Sequence, residues 1–195
     1  MSRPFRIDPT TLLAELRADL IKHGVLAFSP GETAKRLGMT PAAIQARLGK
    51  RDEVLARVWI DARRTYVAAV TPALEDKGFP ESIDRVIGAL GTLERSVALV
   101  ALGFDERSMF GQGREGPLRA ERRRLEAELD AAVRSWAKRH LGSTSQGDLE
   151  DARFALLDAP AIEAADALWS GGSGAFDLEA GHPIFTRAFN LRERD

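Results

Sequence analysis

A chain of 195 residues, 44% hydrophobic and 29% charged with a net charge of −1, is long enough for one domain, or for a small domain joined to a larger one, and can bury a core. It has no cysteine, which excludes disulfides and thiolate metal sites and suits a reducing compartment. No apolar run approaches the roughly 18 residues that span a bilayer, and the opening MSRPFRIDPT has no signal-peptide apolar stretch, so a soluble, cytoplasmic protein is expected.

In chain order, Arg3 and Arg6 stand in a tail that is either solvated or in reach of a phosphate or minor groove. Leu12, Leu13, Leu16, Leu20 and Ile21 then recur at helical spacing before Gly24 and predict a first helix. Ser29-Pro30 and Thr40-Pro41 follow. A hydroxyl at the N-cap accepts from an unpaired amide, and a proline at the first helical position has no amide to leave unpaired, so each pair predicts a helix start. Ser29 has Glu32 three residues on, the spacing of a reciprocal capping box, which makes the first start the firmer one. Gly38 after Leu37 supplies a left-handed stop after about two turns, or roughly 12 Å of helix.

Two helices this short cannot bury themselves. Ala34, Leu37, Ile44 and Leu48 are the apolar positions left to face the first helix and the Val54, Leu55 and Val58 stripe beyond Arg51. The unit predicted at about residues 29–48 is a helix-turn-helix. On the second short helix Thr40, Pro41, Ala42, Ala43, Gln45, Ala46 and Arg47 remain outside, small enough in the main to let the helix lie deep in a groove. Gln pairs with adenine and Arg with guanine at base edges. Lys35, Arg36, Lys50 and Arg51 are expected near phosphates, with Ser29 at the first helix start. Up to Tyr66 the chain carries 12 Lys and Arg against 7 Asp and Glu, and 16 against 22 beyond it, so the basic part is the part that holds the motif.

The remainder predicts helix throughout. One helix is expected from Arg51 into the low seventies, with DKGFPES as its loop. A single central buried helix is expected over residues 82–104, where Ile83, Val86, Ile87, Leu90, Leu93, Val97 and Val100 form a broad stripe. Residues 117–140 carry Leu118, Leu125, Leu129, Val133 and Trp136 on one side, and residues 148–169 form a helix bent by Pro160. SGGSG at 170–174 reads as a connector, and residues 183–192 as a last short helix.

Other patterns read as structure. GQGREG at 111–116 matches a dinucleotide-loop spacing but follows helix and has no strand before it, so it reads as a loop. The run RAERRRLEAELD alternates its charges as a solvated helix face does. His23, His140 and His182 have no metal-ligand spacing, and neither a nucleophile elbow nor a phosphate-binding P-loop is present. No metal, cofactor or enzymatic activity is expected.

The order of long helix, Gly24, ETAKRLGMTPAAIQARLGKRDEVL and second long helix resembles the N-terminal domain of TetR/AcrR-like transcriptional regulators. Thr33-Ala34, Gly38-Met39-Thr40 and residues 44–51 stand where that family has Ile-Ala, Gly-Val-Ser and Leu-Tyr-x-His-Phe-x-x-Lys. Gln45 replaces the usual tyrosine, Leu48 the aromatic and Arg51 the lysine. The resemblance implies an all-α protein with a helix-turn-helix domain at residues 1–50 and a helical ligand-binding and dimerisation domain at 51–195. It also implies a homodimeric, ligand-responsive repressor on a palindromic operator in double-stranded DNA, with a small-molecule effector. Leu90, Phe104, Met109, Phe110, Trp136 and Phe154 are the expected pocket residues. Because these side chains are apolar, an uncharged or weakly polar effector is expected. Leu156, Ile162, Trp169, Ile184, Phe185 and Phe189 are the expected dimer surface. The alternative is a regulator-fold protein that acts through a ligand or protein partner without specific DNA binding, as Gln45 in place of tyrosine would suit.

Overall fold

A computed structural model describes residues 7–110 and 116–170, all of it helix and connecting turns. Arg3, Arg6, His182, the SGGSG stretch beyond Ser170, most of GQGREG and the helix expected at residues 183–192 lie outside the described residues.

Helix α1 (Pro9–Ala27) starts with Pro9 in its first turn and with the Asp8 carboxylate accepting from the Thr11 amide at 3.1 Å. Leu12, Leu16 and Leu20, four apart, point one way and are buried, each contributing about 1.5–3 kcal/mol. At Gly24 φ is +69°, a left-handed conformation that glycine adopts without penalty, and the turn it redirects leads to a buried Phe28. Helices α2 (Pro30–Arg36) and α3 (Pro41–Leu48) follow, with Gly38 at φ +68° in the turn between them.

Helix α4 (Arg51–Val70) is the spine. It buries Val54, Leu55, Val58, Trp59, Ala62, Tyr66, Val67 and Val70, more than one face, because other helices pack on several sides of it. A 3₁₀ turn at Thr71–Leu74 closes it.

The single helix expected over residues 82–104 is two: α5 (Glu81–Gly91) and α6 (Arg95–Gly103), meeting at a corner of 118°. After Gly91 the Thr92 hydroxyl donates to the Ala89 carbonyl at 2.7 Å and the Leu93 amide to Leu90 at 3.2 Å, local bonds that end α5. Glu94, extended, then starts α6. Only α6 is central: Val97 to Ala101 are all buried, and it packs on α1, α4 and α10.

After α7 (Glu106–Phe110), helix α8 (Pro117–His140) buries Leu125, Leu129, Val133 and Trp136, as the stripe predicts. The Trp136 indole donates to the Lys77 carbonyl and the Ser82 hydroxyl, both at 2.9 Å, so this buried ring carries no orphan donor. Helix α9 (Gln146–Arg153) passes through a π turn at Phe154–Asp158 into α10 (Ala159–Trp169). The wide turn comes just ahead of Pro160, whose ring clashes with the carbonyl four residues back in a regular α-helix.

Among the described residues no single helix is long and apolar enough to cross a membrane.

Candidate nucleic-acid interface

The two short helices start where the Pro pairs predict, but by different means. Thr40 caps α3 in fact: its hydroxyl accepts from the Ala43 amide at 3.2 Å. Ser29 is extended at the head of α2 and its hydroxyl makes no cap bond. The capping box expected with Glu32 is absent, because the Glu32 carboxylate pairs with Lys35 at 2.7 Å. The firmer start by spacing is thus the weaker by geometry. A carboxylate does cap α4, where Glu53 accepts from the Lys50 amide at 2.8 Å. Gly49, at φ +90°, leaves the room, since a Cβ there would overlap that carboxylate.

Helix α2 is fastened to α1 by its polar side. Thr33 donates to Asp19 at 2.6 Å, and Arg36 bridges Glu15 and Asp19. Burial alone raises the Asp19 carboxyl, but the Thr33 and Arg36 bonds, with the nearby His23, outweigh it and hold the pKa below the usual aspartate value. Arg36, expected near phosphate, is therefore a clasp between two helices. Arg51 is another: its guanidinium donates to the Phe28 carbonyl at 3.0 Å and to the Val25 carbonyl, satisfying the chain end of α1. Arg57 does the same for α3 through the Leu48 carbonyl at 2.9 Å.

What is left outward is α3. Ile44 is buried and Leu48 and Ala43 half-buried, while Thr40, Pro41, Ala42, Gln45, Ala46 and Arg47 are exposed. Ala42 and Ala46 lie on the line farthest from Ile44. Gln45 flanks them on the α2 side, where it lines a shallow groove of about 230 Å³ with Pro30, Gly31, Pro41 and Lys50. Arg47 flanks them on the other side and donates to the Ile7 carbonyl at 3.4 Å.

Arg57, Glu53, Thr33 and Asp19, which set the pose of α3 and α2, were missing from the sequence-level candidates. Only Glu53 left a local signal, three residues after Lys50. The others act across gaps that periodicity does not see.

The six expected pocket residues are dispersed. Leu90 lines a cavity of about 230 Å³ between the α5–α6 corner and α10, with Leu93, Ala98, Leu102, Ala164 and Leu168. Phe110 lines a separate cavity of about 200 Å³ with Ala56, Arg57, Leu118 and Arg119, and stacks edge-on against Trp59 at 5.5 Å. Met109 and Trp136 are core. Phe104 packs against Trp169 at 5.9 Å, and Phe154 is exposed.

Of the expected dimer residues, Leu156 is fully buried in its own chain and is withdrawn from that surface, because the π turn directs it inward. Ile162 and Trp169, 57% and 48% exposed, lie seven residues apart on one side of α10. Ile184, Phe185 and Phe189 lie outside the described residues.

No family model matches the chain, and no curated protein does. Among solved structures it is similar to a TetR family transcriptional regulator, PfmR from Thermus thermophilus. Identity is 17%, the match covers 92% of this chain and 97% of that one, and the TM-score is 0.57. With a short helix-turn-helix carried on a long fourth helix and a helical body behind it, the chain has the fold of a TetR family transcriptional regulator.

Proposed function

We propose that this protein is a one-component, DNA-binding transcriptional regulator of the TetR family, acting in the cytoplasm as a homodimeric repressor on a palindromic operator. The observation that carries the reading is the pose of α3. It is capped at Thr40, held by Ile44 and Arg57, and its outer face is small and free of large apolar groups, as a helix that enters a major groove must be. In this reading residues 1–50 read DNA. Lys50, whose ammonium has no partner among the described residues, contacts phosphate, and Lys35 joins it by giving up an exposed ion pair of little worth.

Residues 51–195 then carry dimerisation and effector binding. Ile162 and Trp169 are the described part of the subunit contact. The cavity beside Leu90 takes a small apolar effector, its walls being mostly Leu and Ala. Release of DNA requires that the effector favour the state in which the two reading helices are wrongly spaced.

Selection of bound sequences from a random duplex pool tests the reading. Enrichment of a two-fold symmetric site is expected. A pool that stays random at moderate salt, where sequence-independent phosphate attraction is screened, would overturn specific DNA binding and leave a regulator-fold protein that works through a ligand or protein partner.

A further inference from the structure

We infer that α3 selects A·T base pairs, with the Gln45 amide pairing to an adenine edge and the Ala42 and Ala46 methyls packing on thymine C5-methyls. The inference rests on the DNA-binding reading above and gives it a sequence class.

The cations on or beside the helix that are able to prefer guanine are engaged elsewhere or given to phosphate. Arg51 is held on the carbonyls of Val25 and Phe28, Arg36 on Glu15 and Asp19, and Arg47 turns back to the Ile7 carbonyl, while Lys35, on α2, is given to phosphate in the reading above. Lys50 stands beyond the C-terminal end of α3 at the head of α4 and is the phosphate contact of the reading above. The Thr40 hydroxyl oxygen serves as the cap acceptor at the head of the helix.

Gln45 differs from all of these. It is exposed and its amide has no hydrogen-bond partner among the described residues, so both its donor and its acceptor are free. That pair matches adenine, which offers N7 as acceptor and N6–H as donor in the major groove. One residue along and three residues back, Ala46 and Ala42 present methyl groups on the outermost line of the helix. An A·T pair is the pair that puts a methyl in the same groove. A guanine or cytosine at those steps offers the alanines nothing apolar and leaves the Gln45 amide mismatched.

The test uses the full chain and the site selected from random DNA, altered one base at a time. Replacing the contacted adenine by 7-deazaadenine removes N7 and should weaken binding about 5- to 100-fold. Replacing a contacted thymine by deoxyuracil removes only the methyl and should weaken it about fourfold. Gln45→Glu, at an exposed position that leaves the fold alone, should move the preference at its base pair from A·T to C·G, because a carboxylate accepts from cytosine N4–H. A selected site with G·C at these steps, or equal affinity for the two analogues and the natural bases, overturns the A·T assignment while DNA binding stands. A pool without any enrichment overturns DNA binding itself, and the assignment with it.

Discussion

Arg17 on α1 and Asp61 on α4 meet at 2.6 Å, with the arginine side chain 7% exposed. The same guanidinium reaches the Ser96 hydroxyl at 3.3 Å and the Glu94 carboxylate at 3.5 Å, at the start of α6. A single buried cation thus joins the first helix to the spine and to the central helix of the body. Removing one partner of a buried pair leaves a charge without compensation. Asp61→Ala should therefore cost about 2–3 kcal/mol in urea unfolding, below the full buried-pair figure because Asp61 is partly exposed. Arg17→Met, which keeps the stem and removes the charge, should cost less than Asp61→Ala.

The two helix starts can be separated by the same measurement. Thr40→Ala removes a hydroxyl that caps, and should cost about 1 kcal/mol. Ser29→Ala removes one that does not, and should lie within about 0.5 kcal/mol of the parent. Equal losses would mean that Ser29 caps α2 in solution.

Lys50→Ala should weaken every DNA sequence alike and reduce the slope of log affinity against log salt by about 1, as the loss of one phosphate contact does. Arg51→Ala should act differently: it frees the carbonyls of Val25 and Phe28 and should lower the melting temperature before it alters the salt slope. Binding isotherms at several salt concentrations, paired with thermal melts, distinguish the two.

Two aspartates should give opposite pH dependences. The Asp19 carboxyl is held below its ordinary pKa despite burial by Thr33 and Arg36, so its contribution is present above the unfolded-state value near 3.9 and fades as pH falls through the lower folded value. Asp19→Asn should be less stable at pH 7, with the gap closing below about pH 4. Asp158 has its pKa raised, first by burial and then by Glu126 and Asp130, against the opposing pull of Arg153 and Arg63. Its contribution is fully present below the unfolded value and is lost as pH rises through the folded one. Asp158→Asn should match the parent in acid and exceed it at pH 7. Urea midpoints from about pH 2 to pH 7 read both.

For the proposed subunit contact, Ile162→Arg places a charge at a position 57% exposed in the single chain. It should leave the monomer fold intact and shift sedimentation velocity toward monomer, since a like charge from each copy would meet across a two-fold axis. An unchanged dimer would remove this face of α10 from the contact.

Helix starts marked by proline, and the whole of α8 from Pro117 to His140, were legible because the signals are local and the apolar stripe is regular. The corner after Gly91 was not, because the stripe runs on through Val97 and Val100 and nothing nearby forbids helix. The turn there is chosen by the space α6 fills between α1, α4 and α10. At the candidate interface, the outward set of α3 could be read from a helical wheel. The commitments of Arg36 to Asp19, Arg47 to Ile7 and Arg51 to Phe28 could not, since these partners lie 17 or more residues away in sequence and a wheel shows only which side a residue occupies.

The joint at Gly49 makes α3 an exchangeable cassette. Thr40 closes one end from within, and the Glu53 carboxylate, in the space a side chain at 49 would need, closes the other. Between them the body grips the helix through Ile44, Leu48 and the Leu48 carbonyl, leaving positions 42, 45, 46 and 47 exposed. A foreign α3 sequence that retains Thr40, Ile44, Leu48 and Gly49 would therefore inherit the pose of this one, so that the outward face of the helix can be rewritten without renegotiating how the protein folds.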